Sequence, residues 1–155
     1  MTIKSSIRFR PAEPADAAAI RDIVRSAYGK WVPVIGREPL PMRADYERAV
    51  AEHPLDLAIE EGRIVGMIET MLAGDHLWIE NVCVASEAQG RGIGRLLLER
   101  AEWKAIEAGR PELRLLTNGA FEVNVSLYKW HGYTIDREEP FMGGMTVYMS
   151  KKLTR

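Results

Sequence analysis

The stretch NVCVASEAQGRGIGRLLLERAE, Asn81 to Glu102, sets an apolar run, a glycine-rich loop and an amphipathic run in direct succession. Its centre, QGRGIG at Gln89 to Gly94, holds three glycines in five positions. Glycine loses more conformational freedom on folding than any other residue, so three of them before a helix need a reason. Bare backbone lets N–H groups close on an anion, and the N-terminus of the following helix adds partial positive charge. The competing reason is that the glycines only shape a turn. Two phosphate loops fail on spacing. The P-loop needs Gly-Lys followed by Ser or Thr, whereas Gly94 is followed by Arg95 and Leu96. The dinucleotide fingerprint needs a third glycine where Arg95 stands. What remains is Gln89-x-x-Gly92-x-Gly94 between a strand and a helix.

Outward from this loop the chain alternates readable periods. HLWIENVCVA before it is predicted as a strand, and the helix after it is predicted from about Ile93 to Ala108, stopped by Gly109 and Pro111. Upstream, Leu55–Glu60 and Ile64–Leu72 read as strands joined by a tight turn at Glu61-Gly62. IRFR at Ile7–Arg10 reads as a short strand. PAEPADAAAIRDIVRSAY reads as a helix, with Ala17, Ile20, Ile23, Val24 and Ala27 at helical spacing and Pro14 early in it. Gly29–Met42, with three prolines, is read as a structured loop, and a second helix is predicted over roughly Arg43–Glu52. Downstream come a buried strand LRLLT, a helix over about Val123–His131 closed by Gly132, and strands YTID and MTVYMSKKL. The predicted order is β α α β β β α β α β β, with no domain boundary in residues 1–155 and no internal repeat.

Composition narrows the function classes. A chain of 155 residues buries a core without staples. Hydrophobic content of 46% and charged content of 28% are those of a globular protein. A formal net charge of −1 lacks the basic excess of a phosphate-backbone binder, so nucleic acid is not expected as a partner. No apolar run approaches the roughly 20 residues that span a bilayer, and no membrane partner is expected. The single cysteine, Cys83, cannot form an internal disulfide, and the opening MTIKSSIRFRPAEPAD has no apolar signal core. Both point to a cytoplasmic protein.

NVCVASEAQGRGIGRLLLERAE resembles the acetyl-CoA-binding motif of the GNAT superfamily of N-acetyltransferases, whose Q/R-x-x-G-x-G/A loop wraps the pyrophosphate of coenzyme A. NVSLYKWHGY, Asn124–Tyr133, is similar to the family's second cofactor-side motif. The motifs carry the resemblance over about Leu77–Tyr133, and element order extends it to nearly the whole chain. It implies an α/β fold with a mixed, mainly antiparallel central sheet, flanked by helices and splayed where acetyl-CoA enters. It also implies a cofactor set of Val82, Val84, Gln89, Gly90, Arg91, Gly92, Ile93, Gly94 and Asn124, with main-chain groups of Val82 and Val84 holding the pantetheine arm and the carbonyl oxygen. Acetyl-CoA is the expected acyl donor, and no metal is expected. A homodimer is compatible with this reading.

Acetyl transfer to an amine requires a neutral amine, a stabilised carbonyl oxygen and a protonated leaving thiol. Tyr128 lies four residues after Asn124 on one helix face, where the family places a tyrosine acid. Its alternative is a core aromatic alongside Phe121 and Val125. Glu80, in LWIENVCV, is the candidate base, because a carboxylate in an apolar strand is costly unless paired or used. Glu69 on the preceding strand is its rival. In a regular strand Glu80, Val82 and Val84 share a face. Cys83 reads as a small buried hydrophobe, and His53, His76 and His131 lack metal-ligand spacing. By the resemblance, Trp31, Ile35 and Glu38 face the acceptor, with Asp136–Gly144 as an opposite wall or a solvated hairpin loop. The acceptor is expected to bear an amine. The alternative class is a non-catalytic acyl-CoA-binding or regulatory module.

Overall fold

The computed structural model describes residues 6–153. The opening Met1–Ser5, part of the stretch read for a signal sequence, lies outside them. The elements are β1 (Ile7–Pro11), α1 (Ala17–Tyr28), α2 (Val32–Ile35), α3 (Tyr46–Glu52), β2 (Leu55–Glu60), β3 (Arg63–Leu72), β4 (Leu77–Val84), α4 (Ile93–Glu107), β5 (Glu112–Asn118), α5 (Glu122–Trp130), β6 (Thr134–Phe141) and β7 (Gly144–Lys152). The strands form a seven-stranded sheet in the order β1-β2-β3-β4-β5-β7-β6. All neighbours are antiparallel except β4 and β5.

Side-chain period builds these elements. In β4, Leu77, Ile79, Asn81 and Cys83 are buried while Trp78, Glu80, Val82 and Val84 are more open, the two-residue alternation of a strand. In α1, Ile20, Ile23, Val24, Ala27 and Tyr28 are buried at helical spacing, and α1 packs on β3 and β4. Helix α4 buries Ile93, Leu97, Leu98, Ala101 and Ala105 against β3, β4 and β5. Close approach of α4 requires Gly66 on β3. A Cβ there would sit 3.0 Å from Leu97 Cδ1 and 3.1 Å from the Cys83 carbonyl oxygen. No helix among the described residues is long and apolar enough to cross a membrane.

Several boundaries differ from the sequence expectation. Pro14–Asp16 is a separate 3-10 turn, and α1 begins only at Ala17. Gly29–Met42 is mostly helical turns rather than irregular loop: a 3-10 turn at Gly29–Trp31, the short α2 with Pro33 in its first turn, and another 3-10 turn at Leu40–Arg43. Gly36, at φ +78°, ends α2 as a left-handed cap. Helix α3 starts at Tyr46, because the Asp45 carboxylate caps it by accepting the Arg48 N–H at 3.1 Å. The largest correction concerns Asp136–Gly144. It is mostly strand, with β6 paired to β7 as far as Phe141↔Gly144 around a turn at Met142 and Gly143. Charges and Pro140 lower strand propensity, but β6 is an edge strand exposed along its whole length, where charge and proline are tolerated.

Candidate active site

The site arises where β4 and β5 part. Their parallel pairing covers only Leu77↔Leu113, Trp78↔Arg114 and Ile79↔Leu115. Beyond it β5 continues along β7, down to Asn118↔Thr146, while β4 continues along β3. At the point of parting β4 carries a bulge. Glu69 faces Asn81 and Thr70 faces Ile79, so that Glu80 is the extra residue. Bulges bend a strand and end pairing, which is the splay the resemblance implied. Burial still alternates through the bulge. Glu80 and Trp78 remain on one side, with the Trp78 indole N–H donating to Glu80 Oε1 at 2.8 Å.

The gap exposes main chain. Ala85 gives its N–H to the Val65 carbonyl at 2.8 Å, so the preceding Val84, opposite Gly66, is a non-hydrogen-bonded pair with β3. Strand geometry therefore aims N–H and C=O of Val84, and of Val82 two residues earlier, into the gap. Two side chains meet the carbonyls. Gln89 Nε2 donates to the Val84 oxygen at 2.9 Å, and the Tyr28 hydroxyl approaches the Val82 oxygen at 3.4 Å.

Two cavities open from this gap. One, of about 280 Å³, runs over the glycine loop and is lined by Val82, Val84, Gln89, Gly90, Gly92, Ile93, Gly94 and Asn124 among others. The other, of about 350 Å³, lies under the α2–α3 connection and is lined by Ile35, Glu80 and Asn81 among others. Tyr28, Val82 and Tyr128 line both, so the cavities meet at these three residues.

The glycines divide their work. Gly90 and Gly92 have φ of +80° and +88°, the left-handed region, and a Cβ on either would meet nothing within 4 Å. Gly94 is instead tight, with a Cβ falling 3.3 Å from Leu127 Cδ2 on α5. Gly92 is the N-cap of α4 and offers no side-chain cap, so the first N–H groups of a fifteen-residue helix face the first cavity without a protein partner from the cap. Lys30 and Arg95 also line this cavity, and Lys30 Nζ donates to Gln89 Oε1 at 2.9 Å. Bare backbone, a helix N-terminus and two cations suit a pyrophosphate, and the outward groups of Val82 and Val84 suit an amide-bearing arm. Arg91 turns away from the cavity and forms a two-pronged ion pair with Glu60.

Tyr128 is 6% exposed on α5, and no hydrogen bond joins its hydroxyl to a described residue. Burial, and then the nearby Cys83, push its phenol above the usual range. Burial likewise raises the Cys83 thiol to about 12, so at neutral pH it is a small buried hydrophobe. The two candidate bases separate clearly. Glu80 is exposed and lines the second cavity. Glu69 is the buried carboxylate, 4% exposed, lines neither cavity and lies 2.7 Å from His53 Nδ1. Burial raises the Glu69 carboxyl, and His53 opposes that rise. The cost argument from an apolar strand thus belongs to Glu69 and not to Glu80.

Of the residues expected to face the acceptor, Ile35 lines the second cavity, whereas Trp31 lines the first, stacked on Phe121 with centroids 4.8 Å apart. Glu38 lines neither and pairs with Arg25 at 2.9 Å. Asp136 accepts from the Ser150 hydroxyl at 3.0 Å, and Glu139 pairs with Arg137 at 2.6 Å. Sequence reasoning missed a buried chain of hydrogen bonds behind the junction. Tyr28 donates to Asn81 Oδ1 at 3.0 Å, Asn81 Nδ2 to the Tyr46 oxygen at 3.0 Å, and Tyr46 to the Pro41 carbonyl at 2.6 Å. It ties α1, α3 and the Leu40–Arg43 turn to β4 beside the bulge. The only signal in the sequence was a polar Asn81 at a buried position of an apolar strand. His131 ends α5 as its C-cap, as its neighbour Gly132 suggested. Among the described residues no group of three His, Cys, Asp or Glu side chains is arranged to hold a metal.

Residues 51–135 match a family model described as an acetyltransferase (GNAT) domain. The fold is similar to that of PaiA N-acetyltransferase from Thermoplasma acidophilum in complex with coenzyme A, at 19% identity over 95% of this chain and 99% of that one, with a TM-score of 0.83. It is similar to nourseothricin acetyltransferase, at 22% identity over 96% and 99% of the two chains, with a TM-score of 0.76. A GNAT family acetyltransferase from Elizabethkingia anophelis with acetyl-CoA bound matches at 18% identity over 96% and 99%, with a TM-score of 0.70. No curated protein sequence matches the chain. A glycine loop that opens a helix beside a splayed sheet, and a family match across 51–135, lead to one conclusion: the chain belongs to the GNAT acetyltransferase family.

Proposed function

We propose that this protein transfers the acetyl group of acetyl-CoA to the amine of an acceptor bound in the second cavity, by direct attack in a ternary complex. The observation that carries the reading is the meeting of two cavities at Tyr28, Val82 and Tyr128, one of them floored by the glycine loop. Such a junction brings donor and acceptor together without a covalent enzyme intermediate. The buried Cys83 thiol, raised to about 12, is a poor nucleophile for the alternative route.

The donor supplies an activated thioester, and the chain's residues do the rest. The N–H groups at the start of α4, with Lys30 and Arg95, hold the pyrophosphate. Backbone groups of Val82 and Val84 hold the arm, and the Val84 N–H stabilises the carbonyl oxygen as charge develops on it. Glu80 lines the acceptor cavity, accepts a proton from the ammonium directly or through water, and leaves a neutral nitrogen lone pair to attack. The N–C bond forms as the C–S bond breaks. Tyr128, whose hydroxyl has no partner among the described residues, gives its proton to the departing sulfur, and the proton that the nitrogen sheds as it becomes an amide returns to the phenolate through water. Its raised pKa keeps it protonated at neutral pH.

Single-turnover transfer with Tyr128→Phe tests the assignment. Removal of one oxygen breaks no hydrogen bond to the described residues, so stability and acetyl-CoA affinity stay near wild type. The rate falls by about 10²–10⁴. Transfer at the wild-type rate makes Tyr128 a packing aromatic. Absence of CoA release with every amine, despite tight acetyl-CoA binding, favours a non-catalytic acyl-CoA-binding module instead.

A further inference from the structure

We propose that Arg37 binds a carboxylate of the acceptor, and hence that the acceptor is a small amine that also carries a carboxylate and an apolar part. This rests on the reading of the second cavity as the acceptor site. Among the residues lining that cavity, only Arg37 and Glu80 carry formal charge, and their signs are opposite. Arg37 Nε is buried without a hydrogen-bond partner among the described residues. Its one side-chain hydrogen bond among the described residues runs from Nη1 to the carbonyl of the adjacent Glu38, at a long 3.4 Å. The nearest carboxylate in sequence, Glu38, is taken by Arg25. A guanidinium is cationic, and Arg37 lines the cavity with no carboxylate paired to it among the described residues, so the arrangement leaves a place for an anion.

Arg37 is held rather than loose. It follows Gly36, whose φ of +78° caps α2, and its guanidinium carbon lies 5.8 Å from the centroid of the Phe141 ring at the end of β6. The fork of a guanidinium matches a carboxylate with two parallel bonds, which an ammonium cannot do. Ile35, Leu40, Phe121 and Phe141 supply apolar wall, and about 350 Å³ suits a small molecule. Glu80 then faces the ammonium of the same ligand. A polyamine brings no anion to Arg37 and places like charges together, so it is disfavoured.

Matched pairs test this. L-phenylalanine, L-methionine and L-leucine are each compared with their α-amides, which keep amine and side chain but lose the negative charge. Spermidine serves as the polycation. Rates of CoA release are read for each, and binding of N-acetyl-L-phenylalanine and its amide in the presence of CoA is read by calorimetry. In wild type at least one acid exceeds its amide by roughly 10- to 100-fold in kcat/KM, and the acetylated acid binds tighter than its amide by a similar factor. In Arg37→Ala that advantage disappears, and in Arg37→Lys it returns in part. Retention of the thermal shift with CoA shows that each variant is folded. Acids and amides that behave alike in wild type overturn the inference with no variant needed. So does an acid preference that survives in folded Arg37→Ala. Carboxylate-selective binding without CoA release from any amine upholds Arg37 and overturns the proposed function. CoA release from amides or spermidine as fast as from the acids does the reverse.

Discussion

Replacing Gly92 by alanine separates a glycine that binds from one that only bends the chain. Gly92 sits at φ +88° and ψ 7°, left-handed space that an L-residue enters at a cost of about 1–2 kcal/mol. An added Cβ meets no protein atom within 4 Å, so backbone strain is the whole folding penalty. For a chain of 155 residues that strain lowers Tm by roughly 2–8 °C. Gly92 is one of the residues that line the first cavity. A methyl group there lifts an anion away from the N–H groups at the start of α4. Each charge-assisted hydrogen bond lost is worth about 1.5–3 kcal/mol, so affinity for CoA falls by at least about 10-fold. Gly109 supplies the matched control. It has φ +72°, an equally empty surrounding, and a place just past the other end of α4. Gly109→Ala costs the same strain and leaves CoA affinity unchanged. The assay is thermal unfolding of both variants, followed by calorimetric titration with CoA. If both variants lose similar stability and both bind CoA like wild type, Gly92 merely shapes a turn, and the glycine loop is not the pyrophosphate site.

Glu80→Gln slows transfer, and the loss shrinks as pH rises toward the amine's own pKa near ~10.4, whereas Glu69→Gln leaves the shape of the pH–rate profile unchanged; a shift of that profile in the Glu69 variant alone gives Glu69 the role. Gly66→Ala forces a Cβ to 3.0 Å from Leu97 and 3.1 Å from a backbone oxygen, and lowers the free energy of urea unfolding by about 1–3 kcal/mol; unchanged stability shows that α4 can draw back from β3. The Cys83 thiol is raised from 9.0 to about 12, so its contribution is fully present below pH 9 and is lost as pH climbs toward 12, in total about 4 kcal/mol. Urea unfolding between pH 9 and 10 therefore shows a flatter pH slope for Cys83→Ala than for wild type, the buried tyrosines contributing alike to both, and equal slopes contradict the burial argument.

What the sequence determined by itself was the part of the protein written in neighbouring residues. The glycine loop, the helix behind it and the strand before it were legible because a left-handed φ, a helix N-terminus and a two-residue alternation are each specified within a few positions. That Tyr128 and Asn124 lie on one helix and line one cavity followed from the spacing of one helical turn, whereas the roles expected of them came from the resemblance. The tertiary structure decided everything that depends on distant segments meeting. Tyr28 and Asn81 lie 53 positions apart and bond only because α1 packs on β4. Glu69 and Glu80 look equivalent as carboxylates in apolar strands, and only the stacking of elements over β3 buries one while the bulge leaves the other open. The Asp136–Phe141 segment reads as loop from its charges and proline, yet pairing to β7 outweighs weak local propensity at an edge. Arg37 carries no motif. Its meaning comes from the cavity around it, where Arg25 has taken the nearest carboxylate in sequence and the Arg37 guanidinium is left without a paired carboxylate among the described residues.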